Sequence, residues 1–274
     1  HSRGMKKTML PALLLLSACG TSASPQAEPG TLTLHPRRGK EETTVAWKAS
    51  QSAVIICDMW DTHTCAGAAR RVTAMAPRLN AFVAEARRRG VLIVHAPSDV
   101  TKFYDGTPAR ALAKNAPEAA AATDFKWRRL DPARESALPV DDSDWCDCTP
   151  KCEIKKIEES RKWPWTRQIA SIDILPGDAL SDQGKEIHNL FVQRGITNVL
   201  LTGVHTNMCV LGRSFGIRQQ VMLGRTVALV RDLTDCLYDP RKPPHVPHDE
   251  GTSLLVGHIE KYWCPSVPSS DLRP

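Results

Sequence analysis

The sequence predicts an α/β domain of the doubly wound kind, a mostly parallel sheet with helices on both faces. Three observations lead there. Strand-length runs of continuous apolar residues, Ala53-Val54-Ile55-Ile56-Cys57 first among them, end in a polar residue or a glycine, as strands covered on both faces do. Between them, longer stretches repeat apolar residues at helical spacing and stop at a glycine. The order strand, helix, strand occurs in both halves of the chain, and it is the repeating unit of a parallel sheet. With 274 residues, 42% of them hydrophobic and 24% charged, the chain can bury a large core without disulfide staples.

At the amino end, His1 to Gly4 precede Met5 and read as a vector-derived remnant. Lys6-Lys7 and the apolar run Met9 to Leu16 then have the layout of a secretory signal, too short to span a bilayer. Leu16-Ser17-Ala18-Cys19 resembles the lipobox of bacterial lipoproteins. That resemblance implies cleavage before Cys19, lipid on its thiol and amine, and a membrane-anchored protein that is periplasmic or on the cell surface. An ordinary cleaved signal with an incidental cysteine is the alternative, and both readings export the chain. Residues 1–18 are therefore read as remnant plus signal. Residues 19–43, rich in Ser, Pro, Gly and Thr, are read as a flexible tether, and 44–274 as the folded domain.

Within that domain, Ala53 to Cys57 is the first central strand. Val72, Met75, Ala76, Leu79, Phe82, Val83 and Ala86 line one side of a helix from Ala66 to Arg89, and Gly90 ends it. Val91 to Val94 is the second strand. Residues 101–168 are a long insertion of weak periodicity, rich in Pro, Trp and charge, that could act as a lid. In the second half, Ile187, Leu190 and Phe191 mark a helix, and Val199 to Gly203 a buried strand. Val210 to Gln219 reads as a helix and Thr226 to Val230 as a strand. A Pro-rich loop then leads to a helix from about Thr252 to Trp263 and a last strand near Val267. Ligands of such sheets sit at the carboxyl ends of the strands, so Asp58, His95 and the residues after Gly203 can converge.

The informative string is Gly203-Val204-His205-Thr206-Asn207-Met208-Cys209-Val210, a strand ending in a turn that delivers a cysteine to the start of a helix. A thiol there would face unpaired N–H groups and the positive end of the helix dipole, both of which favour thiolate. Asp58, on a neighbouring strand end, would accept the thiol proton and pass it to a leaving amine. The N–H groups of Cys209 and a neighbouring turn residue would hold an oxyanion.

Together with Ile55-Ile56-Cys57-Asp58-Met59, this string resembles the isochorismatase-like cysteine hydrolases, the superfamily that includes nicotinamidases. The resemblance extends from about Thr44 to Val267. It implies an amidohydrolase in which Asp58 is the acid/base aspartate and Cys209 the nucleophile, with a cis peptide between Val204 and His205 shaping the oxyanion hole. The family's third catalytic member, a lysine after the third strand, has no clean match. Lys162 is the nearest lysine to Trp165-Thr166-Arg167-Gln168 and Arg167 the nearest cation, and an arginine could not shuttle a proton. Lys162 is carried as the candidate, with Trp60, His63, His95 and Asn207 as pocket walls.

Some nicotinamidases hold a metal through Asp and His after the second strand. His95 and Asp99, with Asp61 and His63, are residue types that suit zinc or iron, but the family's Asp-x-His spacing is absent, so pocket lining is the preferred role and no metal is assigned there. Cys57, mid-strand, should point to the face opposite Asp58 and be inert. Cys146, Cys148 and Cys152 could bind metal or form disulfides with Cys65, Cys236 or Cys264, and spacing cannot say which. His245 and His248 read as solvated loop residues and Trp163 and Trp165 as pocket cover.

Thirty-six Lys and Arg against 30 Asp and Glu give +6, which falls to +3 once Arg3, Lys6 and Lys7 leave with the signal. So small a surplus, with only Arg87-Arg88-Arg89 as a basic run, gives no footprint for nucleic acid. A small molecule is the expected partner, and a homo-oligomer is left open. Two function classes stand: a cysteine hydrolase acting on a small amide or related C–N bond, or a binding lipoprotein that keeps the fold without turnover.

Overall fold

The structure, a computed structural model, describes His1 and residues 30–144, 146–153, 159–160 and 162–273. The signal segment, the lipobox Cys19 and the first part of the tether lie outside the described residues. Among those described, no helix is long and apolar enough to cross a membrane.

Among the described residues, ten strands and five helices carry the fold. The strands are β1 (Thr31–Leu34), β2 (Arg37–Arg38), β3 (Glu41–Glu42), β4 (Val45–Lys48), β5 (Ser52–Cys57), β6 (Leu92–Ala96), β7 (Ala179–Leu180), β8 (Asn198–Val204), β9 (Thr226–Asp235) and β10 (Ser266–Val267). The helices are α1 (Ala66–Arg88), α2 (Pro108–Lys114), α3 (Gly184–Gln193), α4 (Ile217–Met222) and α5 (His248–Tyr262). Eight strands form the main sheet in the order β3-β2-β10-β9-β8-β5-β6-β7. From β10 to β7 every neighbouring pair is parallel, and β2 and β3 add an antiparallel edge.

Alternation along β5 divides the core. Val54 and Ile56 pack on one face with the apolar stripe of α1 (Val72, Met75, Leu79, Val83), whereas Ala53, Ile55 and Cys57 pack on the other with Ile187 and Phe191 of α3, Ile217 of α4 and Ile259 of α5. The fold is thus doubly wound as expected, but unevenly. One long helix serves the first face and four shorter ones the second.

The tether reading fails from residue 31 onward. Thr31 to Leu34 pairs with Val45 to Lys48 as an antiparallel hairpin, and Leu32, Leu34 and Trp47 complete the core beside α1. Two apolar residues at alternate positions are too short a signal to stand out among Pro, Gly and Thr, yet their burial is what α1 leaves room for. The helix expected over Val210–Gln219 is also displaced. Thr206–Val210 is a single π-helical turn, and α4 begins only at Ile217, after Gly212 and Gly216. His248 starts α5 and is only partly exposed, its Nε2 3.1 Å from Asp235 Oδ1, not a free loop histidine.

Candidate active site

The ends of β5 and β8 are held unusually close. Cys57 and Gly203 are register partners, and a Cβ on Gly203 would lie 2.0 Å from the Cys57 carbonyl oxygen. With φ at +90° as well, only glycine fits. Beyond this point both chains turn: β5 through Asp58, at φ +46°, and β8 through the cis Val204–His205 peptide into the π turn. The left-handed turn brings the Asp58 carboxyl back over the face that Cys57 occupies. Cys57 and Cys209 share one core cluster, so the expectation that Cys57 points away from the site is corrected. Cys57 lies fully buried beside the pair, and burial pushes its thiol well up.

Asp58 is fully buried. Its Oδ1 accepts the Ser98 N–H at 2.8 Å and its Oδ2 accepts Nε of Arg213 at 3.4 Å. The Cys209 thiol faces the same carboxyl as a hydrogen-bonding partner. Burial raises Asp58 above the usual aspartate range, against the opposing pull of Arg213, Cys209 and Ser98. Burial likewise raises the Cys209 thiol, and the Asp58 charge adds to it while Arg213 opposes. The expected resting thiolate is therefore not what the surroundings favour. A five-residue π turn carries little dipole, and desolvation beside a carboxylate outweighs it. Burial thus favours a protonated thiol facing the Asp58 carboxyl.

Arg213 is the cation of the site. Burial works against its charge, but Cys209, Asp58 and Asp99 more than offset that and hold it protonated. Its second guanidinium arm reaches Asp99 Oδ2 at 3.3 Å, and its Cζ lies 5.4 Å from the Trp127 ring centroid. It stands four residues after Cys209, one turn on. Lys162 takes no such place: it is exposed and absent from the cavity lining, and its backbone N–H bonds Ser160 Oγ. Arg167 lies over the Phe103 ring, with Nε 3.9 Å from Asp61.

A cavity of about 330 Å³ opens over the Cys209 thiol. Trp60, His63, Trp163, Trp165, Trp127, Met208 and His205 wall it. Trp165 is stacked between Trp60, with centroids 4.3 Å apart at 18°, and Trp163, 4.9 Å apart at 9°. The His205 ring meets His63 edge-on at 4.9 Å. Burial, then the neighbouring His63, pushes His205 well below the ordinary histidine value, so its imidazole is neutral. Both its ring nitrogens and Trp165 Nε1 are buried without a partner among the described residues. A larger cleft of about 700 Å³ shares Trp127 and Met208 with this cavity, and no cysteine among the described residues lines it.

Of the expected walls, Trp60 and His63 are in place. His95 is not: it is fully buried, with Nδ1 2.9 Å from Gln168 and Nε2 3.1 Å from Asp178, because its strand position faces the neighbouring β7 end. Asn207 clamps the chain after β9 through the Leu237 N–H and carbonyl and lines the neighbouring cleft. Nor do His95, Asp99, Asp61 and His63 gather as ligands. Asp61 binds Thr166 and Asp99 binds Arg213. Among the described residues, the one group of donors near enough to share an ion is Cys65, Cys146, Cys148 and Cys152. Cys236 and Cys264 lie in other clusters.

The main sheet and the helices on its two faces have a fold similar to that of a cysteine hydrolase of solved structure. Compared by sequence, the chain matches no protein-family model and no curated protein. Compared by structure, it is similar to a cysteine hydrolase from Pseudomonas syringae pv. phaseolicola 1448A at TM-score 0.52 and 13% identity, over 82% of this chain and 92% of that one. An isochorismatase family protein from Desulfovibrio vulgaris subsp. vulgaris str. Hildenborough aligns at TM-score 0.49 and 14% identity, over 81% of this chain and 96% of that one.

Proposed function

We propose that the chain is a cysteine hydrolase that cleaves a small amide or related C–N bond through a thioester on Cys209, in an exported protein anchored to the membrane by lipid on Cys19. The observation that supports it above all is the Cys209 thiol facing a buried, left-handed Asp58 at an aromatic-walled cavity. Asp58 takes the Sγ proton as sulfur attacks the carbonyl carbon, and the backbone N–H groups of His205 and Cys209 hold the oxyanion. Asp58 then hands the proton to the leaving nitrogen, the C–N bond breaks, and an amine or ammonia departs. Water, deprotonated by Asp58, attacks the thioester carbon and frees the acid, and the proton returns to sulfur. Arg213 stays cationic throughout, so its part is to hold Asp58 ionised and in place rather than to carry protons.

Stacked tryptophans and a neutral, unpaired imidazole suit a flat ring bearing one polar edge, so nicotinamide-like aromatic amides are the first substrates to try. A second reading, a binding protein without turnover, is favoured by one observation: among the described residues, Arg213 and not a lysine stands at the pair. Iodoacetamide labelling followed by mass spectrometry, with ammonia release from a panel of amides before and after, separates them. Selective modification of Cys209 with loss of ammonia release supports the hydrolase. An unreactive Cys209 and no release from any amide supports the binder.

A further inference from the structure

Away from the cavity, the insertion brings three cysteines onto the first turn of α1. Cys65 is the residue preceding that helix, and the Sγ atoms of Cys65, Cys146, Cys148 and Cys152 all lie within 4.8 Å of one another. The Cys65 and Cys148 sulfurs are 3.7 Å apart, far beyond the roughly 2.05 Å of a disulfide. That separation is the edge of a tetrahedron: four bonds of ~2.3 Å from a central zinc place sulfurs about 3.8 Å apart. None of the four is in a disulfide.

Backbone N–H groups face the sulfurs. The Ala66 N–H points at Cys152 Sγ at 3.4 Å and the Gly67 N–H at Cys148 Sγ at 3.1 Å, both from the open end of a 23-residue helix. The Cys152 N–H points at Cys146 Sγ at 3.4 Å. Backbone donors and a helix N-terminus aimed at sulfur compensate the double negative charge that four thiolates leave around a divalent ion. The loop can come this close because position 67 is glycine: a Cβ there would lie 2.1 Å from Asp147 Oδ1. Arg71, one turn further along α1, then grips Asp147 and Asp235 and fixes the loop from behind.

We propose that Cys65, Cys146, Cys148 and Cys152 form a structural tetrathiolate site for a zinc ion, which would pin the insertion to the sheet. Each ligating thiol gives up its proton to solvent as its bond to the metal forms, and no oxidant or reductant is involved. Four protein ligands close the coordination sphere, so the role is structural and independent of the hydrolase reading.

The test is metal analysis of the full chain purified without chelator. One zinc per chain is expected, and cobalt exchanged into the site should show the absorption of a tetrahedral tetrathiolate. Cys148→Ser and Cys152→Ser should each retain at least about tenfold less zinc after dialysis against a chelator, while Cys264→Ser and Cys209→Ser retain a full equivalent. The Cys209 variant thereby separates this site from the catalytic proposal. Should a serine variant fail to fold, the wild-type cobalt spectrum decides. A wild-type protein that takes up less than about a tenth of an equivalent after zinc loading overturns the site, as does an intact mass showing disulfides among these four cysteines, or full zinc retention in both ligand variants.

Discussion

The pairing of Cys209 with Asp58 is a compromise that residue chemistry makes readable. Burial favours the neutral form of both groups, and Arg213 is the charge that pulls Asp58 back towards ionisation. Cys209→Ala should abolish amide hydrolysis, and Asp58→Asn should lower kcat/KM by about 10²–10⁴-fold, in the range of a lost general acid/base. Because Asp58 must be ionised to accept the thiol proton, and its burial raises it, the acid limb of kcat/KM against pH should lie above the ordinary aspartate value near 4. Replacing Arg213 with Met removes the opposing charge, so that limb should move to still higher pH. A profile that does not move would show that Arg213 serves only to pack the turn. Asp58 could be singled out because it ends an apolar run at a strand terminus, and Cys209 because the turn that follows another such run, after Gly203, delivers it to a helix start. Arg213 could not be, although its spacing of one turn from Cys209 was available. Its partner Asp58 lies 155 positions away in sequence, and nothing local links the two.

Elements place those residues, and two are tightly constrained. Gly203→Ala asks for a Cβ inside the Cys57 carbonyl and a left-handed alanine, and it should cost about 3 kcal/mol or more in urea unfolding. At the far end of α1, hydrogen bonds from Arg88 and then Arg89 hold the Glu85 carboxyl down at about 2, below its unfolded value near 4.3. A depressed carboxyl stabilises the fold above its unfolded pKa and loses that contribution as pH falls through the folded one. Glu85→Gln should therefore melt below wild type at pH 7, and the two Tm values should converge between pH 4 and 2. The α1 helix was evident in advance because its apolar stripe recurs over many turns. The β1–β4 hairpin was not, since two alternating leucines become a signal only once α1 leaves a groove for them.

At the scale of the molecule, the middle of the insertion is tied to the rest of the domain by the cysteine cluster and by Glu135. This carboxylate is fully buried. It accepts Arg218 Nε at 2.7 Å and Nη2 at 2.9 Å, Trp263 Nε1 at 2.9 Å, and lies 2.9 Å from His258 Nε2. Burial works against its charge, and these partners together hold it below the usual glutamate range. Glu135→Ala leaves Arg218 buried and uncompensated, and it should lower the unfolding free energy by roughly 3–5 kcal/mol in a denaturant titration. Trp127, Trp163 and Trp165 of the insertion wall the cavity together with Trp60, His63 and His205, so its shape owes as much to the insertion as to the strand ends.

Sequence by itself determined the mostly parallel sheet and the succession of strands and helices that builds it, because strand and helix periodicities are local and repeat within a dozen residues. Tertiary structure alone decided which cation serves Asp58, which histidine faces the cavity, and that Cys65 joins three cysteines more than 80 positions away. Those choices depend on which surfaces the folded chain brings together and how deeply it buries them. Burial and proximity are properties of the packed molecule that no stretch of sequence carries on its own.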